Sequence, residues 1–121
     1  MPQYLIASYL PDDFDPSTLT EEMVETIYAV NRELIAAGAR KFACGLTPAS
    51  ETKTLRPQPD GKITVTDGPY IETKEHIGGL LILEAAHLEE ALDWARKGMV
   101  WGAVVEVREI QFHPDPNAAS E

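Results

Sequence analysis

The stretch of residues 77–84 limits how this chain can fold more than any other feature. It contains Leu80-Leu81-Ile82-Leu83, a short apolar run bounded by glycine and polar residues, which is typical of a β-strand and too short to cross a membrane. Because successive side chains of a strand point to opposite faces of its sheet, this strand is apolar on both faces. Ala103-Val104-Val105 has the same property. A sheet made from such strands must be covered on both sides.

Six strands and two helices are predicted along the chain. The strands are expected at residues 3–9, 40–46, 52–56, 62–66, 77–84 and 103–110, and the helices at 21–37 and 88–97. Asp60-Gly61 predicts the tip of a hairpin between the third and fourth strands. Thr18 and Glu21 have capping-box spacing, with Thr20 as a rival N-cap, and Gly38 ends the first helix.

This order, β-α-β, hairpin, β-α-β, predicts an α+β fold of the ferredoxin-like βαββαβ type with an inserted β-hairpin. Two helices can cover only one face of the sheet, so the other face needs a partner. The simplest partner is a second copy of the chain, and we therefore expect a homodimer. The domain is expected to span residues 1–112, followed by a loose tail at 113–121 that holds only small, polar and proline residues after His113.

Composition excludes several classes of protein. The net charge of −10 over 121 residues argues against general nucleic-acid binding, and no stretch is apolar enough for a membrane span. A single cysteine, Cys44, rules out a multi-cysteine zinc site and an internal disulfide framework. The first residues have no signal-peptide pattern, so we expect a cytoplasmic protein. We expect neither a metal nor another cofactor, because no histidine pair has helical ligand spacing and Gly78-Gly79 opens a strand, not a helix.

The charge is distributed unevenly along the chain. Residues 38–66 carry +3, whereas residues 1–37 carry −6 and residues 67–121 carry −7. Lysines on edge strands commonly protect a hairpin against aggregation. The same basic segment would also suit an anionic ligand or an acidic partner protein, and both interpretations remain open.

Residues 65–75, VTDGPYIETKE, followed by Gly78-Gly79, resemble the DGPF-motif branch of the YCII-related (YciI-like) family, with Tyr70 where phenylalanine is usual. The resemblance extends in order over about residues 3–110. It implies a ferredoxin-like domain that pairs into a dimeric α/β barrel. Many DGPF-type members have no assigned reaction, and some are encoded beside or fused to extracytoplasmic-function sigma factors. The YciI branch is similar to muconolactone-isomerase-like barrels and has a His–Asp pair proposed as catalytic, but helix 21–37 of this chain contains no histidine.

The best candidate site is the segment Asp67-Gly68-Pro69-Tyr70 with the polar residues that follow it. Asp67 or His76 would serve as a general base and Tyr70 as a phenolic donor. Lys74 or Arg56 would bind an anionic group, and Gly68, Pro69 and Glu72 would complete the site. Asp67 could instead anchor a rigid turn by accepting backbone N–H groups, with Pro69 restricting Gly68 to extended geometry.

Two functions are compatible with these residues. The first is an enzyme that performs isomerase-like or lyase-like proton transfer on a small anionic or aromatic metabolite. The second is a non-catalytic ligand-binding or regulatory module, in which the same pocket binds a ligand or the basic hairpin docks onto an acidic protein, in line with the sigma-factor association that the resemblance implies. An enzyme requires its acid–base groups to converge in a concave pocket.

Overall fold

In the computed structural model, which describes residues 1–99 and 102–111, six strands and two α-helices follow one another in the predicted order. Their bounds are β1 (Gln3–Pro11), α1 (Glu21–Ala36), β2 (Arg40–Gly45), β3 (Lys53–Pro57), β4 (Ile63–Asp67), β5 (Glu75–Glu84), α2 (Leu88–Lys97) and β6 (Val104–Glu109). Each bound lies within two residues of its prediction. The tail predicted at 113–121 lies outside the described residues. Among the helices described, none is long and apolar enough to cross a membrane.

The strands form two separate antiparallel sheets. The larger sheet has the order β2-β5-β1-β6, and β3 and β4 make a two-stranded hairpin. Helix α1 connects β1 to β2 and α2 connects β5 to β6, so each helix links two strands that have one other strand between them. This mixed α+β architecture is consistent with the ferredoxin-like prediction, and the hairpin is the inserted element.

Polar caps define where α1 begins. Thr20, and not Thr18, is the N-cap: its hydroxyl oxygen accepts a hydrogen bond of 3.1 Å from the Met23 N–H. Thr18 belongs to a short 3-10 turn that precedes the helix. At the other end Gly38 has φ +69°, the left-handed conformation that commonly terminates a helix.

The core lies between the helices and one face of the larger sheet. Tyr4 and Ile6 of β1 and Leu83 of β5 are buried there, together with Leu34 of α1 and Ala91 of α2. Leu34 and Leu83 are 1% and 0% exposed, so the helix-facing side chains of the sheet are fully covered at this end.

The opposite side of the sheet, here called the open face, is also apolar. Paired residues of adjacent strands share a face, and Ile82 pairs with both Leu5 and Phe42. Leu5 and Ile82 are half-buried, and Phe42 is 52% exposed. Nothing in the described chain covers this face as the helices cover the other.

A β-bulge interrupts the pairing of β1 with β5. Ser8 pairs with Gly79 and Tyr9 pairs with Ile77, so Gly78 is the additional residue. The side chain of Leu10 lies where a side chain at position 78 would have to be: a Cβ built on Gly78 would come within 2.8 Å of Leu10 Cγ. The bulge allows the pairing to continue to Leu10 and His76, which brings His76 to the end of β1.

We expect the substitution Gly78→Ala to lower the free energy of unfolding by about 1–3 kcal/mol, because the new methyl group must displace Leu10. Gly98→Ala is the matched control, since Gly98 has ordinary helical angles and its Cβ would meet no atom closer than 3.8 Å. Urea unfolding of both variants measures the difference. Equal stability of the two variants would contradict the steric role of Gly78.

Candidate functional site

A groove of about 920 Å³ separates the hairpin from the open face of the larger sheet. The hairpin contributes one wall, the segment 69–73 a second wall, and the ends of β1, β5 and β6 the floor. The lining residues are Tyr9, Thr52, Lys53, Thr54, Leu55, Pro69, Tyr70, Ile71, Thr73, Glu75, His76, Ile77, Val104 and Glu106. Its volume lies within the range of ordinary small-molecule sites, roughly 300–1,000 Å³.

The turn at Gly68 is attached to the hairpin by two hydrogen bonds. The Gly68 N–H donates to the Thr52 carbonyl at 2.8 Å, and the Thr54 hydroxyl donates to the Gly68 carbonyl at 2.7 Å. Thr54 is only 9% exposed. Gly68 has φ +94°, a region that favours glycine, and therefore does not have the ordinary extended geometry expected from the following Pro69. These contacts determine where Pro69 and Tyr70 enter the groove wall.

Asp67 lies in neither of the environments expected from the sequence, a cleft that holds a general base or a turn anchored by backbone N–H groups. It pairs with Lys53 across the hairpin, and its carboxylate accepts a hydrogen bond from Lys53 Nζ. The Asp67 side chain is 85% exposed and is not among the residues that line the groove. The geometry therefore separates Asp67 from the other candidate groups, and the ion pair joins the two strands at the base of the hairpin.

Tyr70 lies at the rim of the groove, next to the predicted anion-binding residue Arg56. The guanidinium carbon of Arg56 is 5.0 Å from the centre of the Tyr70 ring, a cation–π contact. Tyr70 is 68% exposed, so one ring face and the phenolic hydroxyl remain accessible. Together these two residues offer a positive charge and an aromatic surface to a ligand.

His76 is held between two acceptors from different parts of the chain. Its Nδ1 lies 2.6 Å from Asp12 Oδ1, just after β1, and its Nε2 lies 2.9 Å from the carbonyl oxygen of Ile71. The imidazole is 17% exposed and lines the groove. Because each ring nitrogen faces an acceptor, the imidazolium form satisfies both contacts at once, whereas either neutral tautomer satisfies only one as a donor.

The hydrogen bond that His76 donates to Asp12, assisted by the one that it donates to the Ile71 carbonyl, raises the pKa of His76 above its usual 6.5. A protonated histidine donates protons and cannot accept one. This geometry favours His76 as a general acid over the base expected from the sequence. Asp12 was not predicted as a site residue, because its contact with His76 depends on the register of β1 and β5.

Tyr9 and Glu106 are a second pair of ionisable residues on the floor of the groove. They lie on adjacent strands of the open face, where Ala7 pairs with Glu106 and Tyr9 with Val104. The hydrogen bond with Glu106 is the largest of the effects that raise the pKa of the Tyr9 phenol. The nearby carboxylate thus favours the neutral form of the Tyr9 phenol.

Of the five predicted binding residues only Pro69 lines the groove; Arg56 and Gly68 lie beside its rim, and Glu72 and Lys74 lie farther along the chain. Lys74 borders a neighbouring depression together with Asp12 and Glu75, and its carbonyl accepts the Asp12 N–H at 2.9 Å. Glu72 is exposed on the segment that leads to β5. Within the described residues, no group of three or more His, Cys, Asp or Glu side chains has the arrangement of a metal site.

We expect Asp12→Asn to return the pKa of His76 toward 6.5, because the neutral amide no longer favours the imidazolium. The matched control is Asp13→Asn at the adjacent position, which should leave this pKa unchanged. NMR titration of the imidazole protons measures both variants. A His76 pKa at or below 6.5 in the unaltered protein would contradict the pairing.

The same pair makes stability depend on pH in a defined direction. The pKa of His76 is higher in the folded state, so its stabilising contribution is complete below the unfolded value of 6.5. It is lost as the pH rises through the folded pKa. We therefore expect the stability difference between the unaltered protein and Asp12→Asn, measured by urea unfolding, to be larger at pH 6 than at pH 9.

Comparison with known proteins places the chain in a family. An uncharacterized protein from Rhizobium meliloti (strain 1021) is 38% identical to this chain over 76 residues. That match covers 63% of this chain and 60% of the relative, so the chain matches less than two thirds of the relative's length. The model of the YCII-related domain matches residues 1–112, which is nearly the whole chain. The chain therefore belongs to the family of YCII-related domains.

Proposed function

We propose that this protein is a homodimeric, DGPF-type member of its family that binds a small anionic or aromatic metabolite in the groove and transfers a proton to it from His76. The observation that carries the proposal is the Asp12–His76 hydrogen bond of 2.6 Å at the wall of the groove. Such a pair is able to protonate a developing oxyanion or carbanion, which is the step that isomerases and lyases share.

The rim of the groove supports a ligand that is flat, negatively charged or both, while Glu75 and Glu106 place negative charge on the floor. Tyr70 and Ile71 are each more than 60% exposed at its rim, where an apolar ligand surface would cover them. Lys53 and Arg56 place positive charge near the same rim, although Lys53 is also paired with Asp67. Tyr9 and Thr54 add hydroxyl groups on the inside.

A dimer is supported by the open face, on which apolar side chains stand without cover. Pairing two such faces would bury Leu5, Ile82 and Phe42 from each chain and would produce the barrel that the family resemblance implies. Burial of apolar surface contributes roughly 25 cal/mol per Å², so a face of several hundred Å² supplies a substantial driving force. It would also enclose the floor of the groove, where Tyr9 and Val104 lie on the same face.

One observation favours the alternative, a non-catalytic ligand-binding or regulatory module. Both protons of His76 are already donated within the protein, to Asp12 and to Ile71. A catalytic cycle would have to exchange the bond to Ile71 for a bond to the substrate. If that exchange does not occur, His76 serves only to hold the groove wall in place.

Hydrogen–deuterium exchange on a small enolisable acid distinguishes these functions. We expect the protein in D2O to accelerate exchange at the carbon-bound methylene protons of phenylpyruvate, measured by proton NMR against the uncatalysed rate. In this reaction solvent deuteroxide removes the carbon-bound proton while His76 donates to the developing enolate oxygen, and the reverse step delivers deuterium from the solvent to the carbon. His76→Gln should reduce the acceleration about 100-fold or more, the usual contribution of a general acid or base. Asp13→Asn is the control that keeps the rate unchanged.

Saturation-transfer NMR on the same samples measures binding separately. Binding without exchange supports the ligand-binding module and contradicts the enzyme. Loss of exchange in Asp67→Asn but not in His76→Gln would assign the chemistry to Asp67 instead. Absence of both binding and exchange, over a panel of 2-oxo acids and phenols, would contradict the function proposed for the groove.

Light scattering tests the dimer. We expect a mass of twice the 13.3 kDa chain at micromolar concentration. Phe42→Glu on the open face should shift the protein toward the monomer, because it buries a carboxylate in the interface. Tyr28→Glu on α1 is the matched control, since Tyr28 is 57% exposed and Phe42 52%. A monomeric unaltered protein would exclude the barrel.

A further inference from the structure

We propose that the protein has a second ligand site, on the other side of the sheet from the groove, for a carboxylic acid with an apolar body. The site is a cavity of about 570 Å³ between α1, α2 and the helix-facing side of the larger sheet. Its single charged lining residue within the described chain is Arg40, which would bind the carboxylate.

The cavity exists because small residues lie on the sheet beneath the helices. Ser8 and Gly45 both pair with Gly79, and Ala43 lies beside Leu81, so small residues at several helix-facing positions leave part of the space below α1 unfilled. At the opposite end Tyr4 and Leu83 fill the corresponding layer. A gap of this volume beside a packed core is large enough for a small ligand.

The walls of the cavity are mostly apolar. Aliphatic side chains come from α1 and from the strands, and an indole comes from α2: the principal contributors are Ile6, Leu10, Ile27, Val30, Trp94 and Val105. Such walls favour a hydrocarbon chain or ring over a strongly hydrated ligand. Within the described chain no Asp or Glu lines the cavity, although the protein contains 20 acidic residues.

Arg40 is held in a position that leaves its terminal nitrogens available. Its Nε donates to Asn31 Oδ1 at 3.1 Å, and the Asn31 amide nitrogen in turn donates to the Ile27 carbonyl at 2.9 Å. Asn31 thus orients the guanidinium through one of its five N–H groups. Among the described residues no carboxylate lies within 4.0 Å of Arg40, and its ion-pair capacity is unused.

These features select a carboxylate over other anions. The two terminal guanidinium nitrogens match the two oxygens of a carboxylate in a bidentate pair. One guanidinium balances the single charge of a carboxylate but only part of the charge of a phosphate. A medium-length aliphatic acid or an aryl acid therefore fits both the charge and the walls of this cavity.

The test uses octanoate and 1-octanol as probes, which have the same chain length and differ in the head group. We expect the full-length protein to bind octanoate saturably in isothermal titration calorimetry. Its affinity for 1-octanol should be lower by a factor of about ten or more. Arg40→Gln should reduce the affinity for octanoate to that for 1-octanol. Lys41→Gln is the matched control, because Lys41 is the adjacent base and pairs with Glu84 outside the cavity.

Two further measurements locate the site. Ala43→Met should fill the cavity and weaken both probes, with circular dichroism to verify that the variant is folded. A second measurement uses the unaltered protein. We expect intermolecular NOEs from the octanoate methylenes to the methyl groups of Ile27 and Val30, which would support binding in the cavity. NOEs to Leu55 and Tyr70 would place the probe in the groove and overturn this proposal without affecting the function proposed there.

Equal affinity for the two probes, or an unchanged octanoate affinity in Arg40→Gln, would overturn the role of Arg40. Absence of saturable octanoate binding in the millimolar range would overturn the site altogether.

Discussion

The antiparallel pairing of β1 with β5 is the interaction on which the rest of the structure depends. Its helix-facing residues, such as Ile6 and Leu83, form the core with both helices, and its other side provides the centre of the open face. The bulge at Gly78 extends the pairing to Leu10 and His76. Without that extension the imidazole would not reach Asp12, and the groove would lose the hydrogen bonds that connect its wall to β1.

Most of the fold was predictable from the sequence because the local signals agree with one another. Helix α2 has its predicted bounds, since its apolar periodicity and its terminal Gly98 indicate the same segment. Strand β1 ends at Pro11, two residues later than predicted, and β5 begins at Glu75, two residues earlier than predicted. Those residues have low intrinsic strand preference and become strand only because they pair with each other.

The site was predictable only in part, for physical reasons that differ among its residues. Tyr70 and His76 were predicted as site residues because Tyr70 ends a recognisable segment and His76 lies just after it. Both residues line the groove. The pairing of Asp67 with Lys53 was not predicted, because it is determined by hairpin register and not by nearness in sequence. No local sequence pattern marks Asp12 or Thr54 as a site residue. Their roles depend on the tertiary fold, which brings Asp12 to the His76 imidazole and Thr54 to the Gly68 carbonyl.

The separation of the hairpin from the larger sheet has a consequence for how this domain can diversify. In the described chain no strand ladder joins β3 or β4 to the other four strands, and the turn at Gly68 is hydrogen-bonded to the hairpin itself. The length and composition of the hairpin can therefore change without altering the register of the sheet that carries His76. Under the proposed function, the proton donor would lie on the larger sheet and part of the ligand contacts on the hairpin, so a new ligand preference would be acquired by exchange of the hairpin alone.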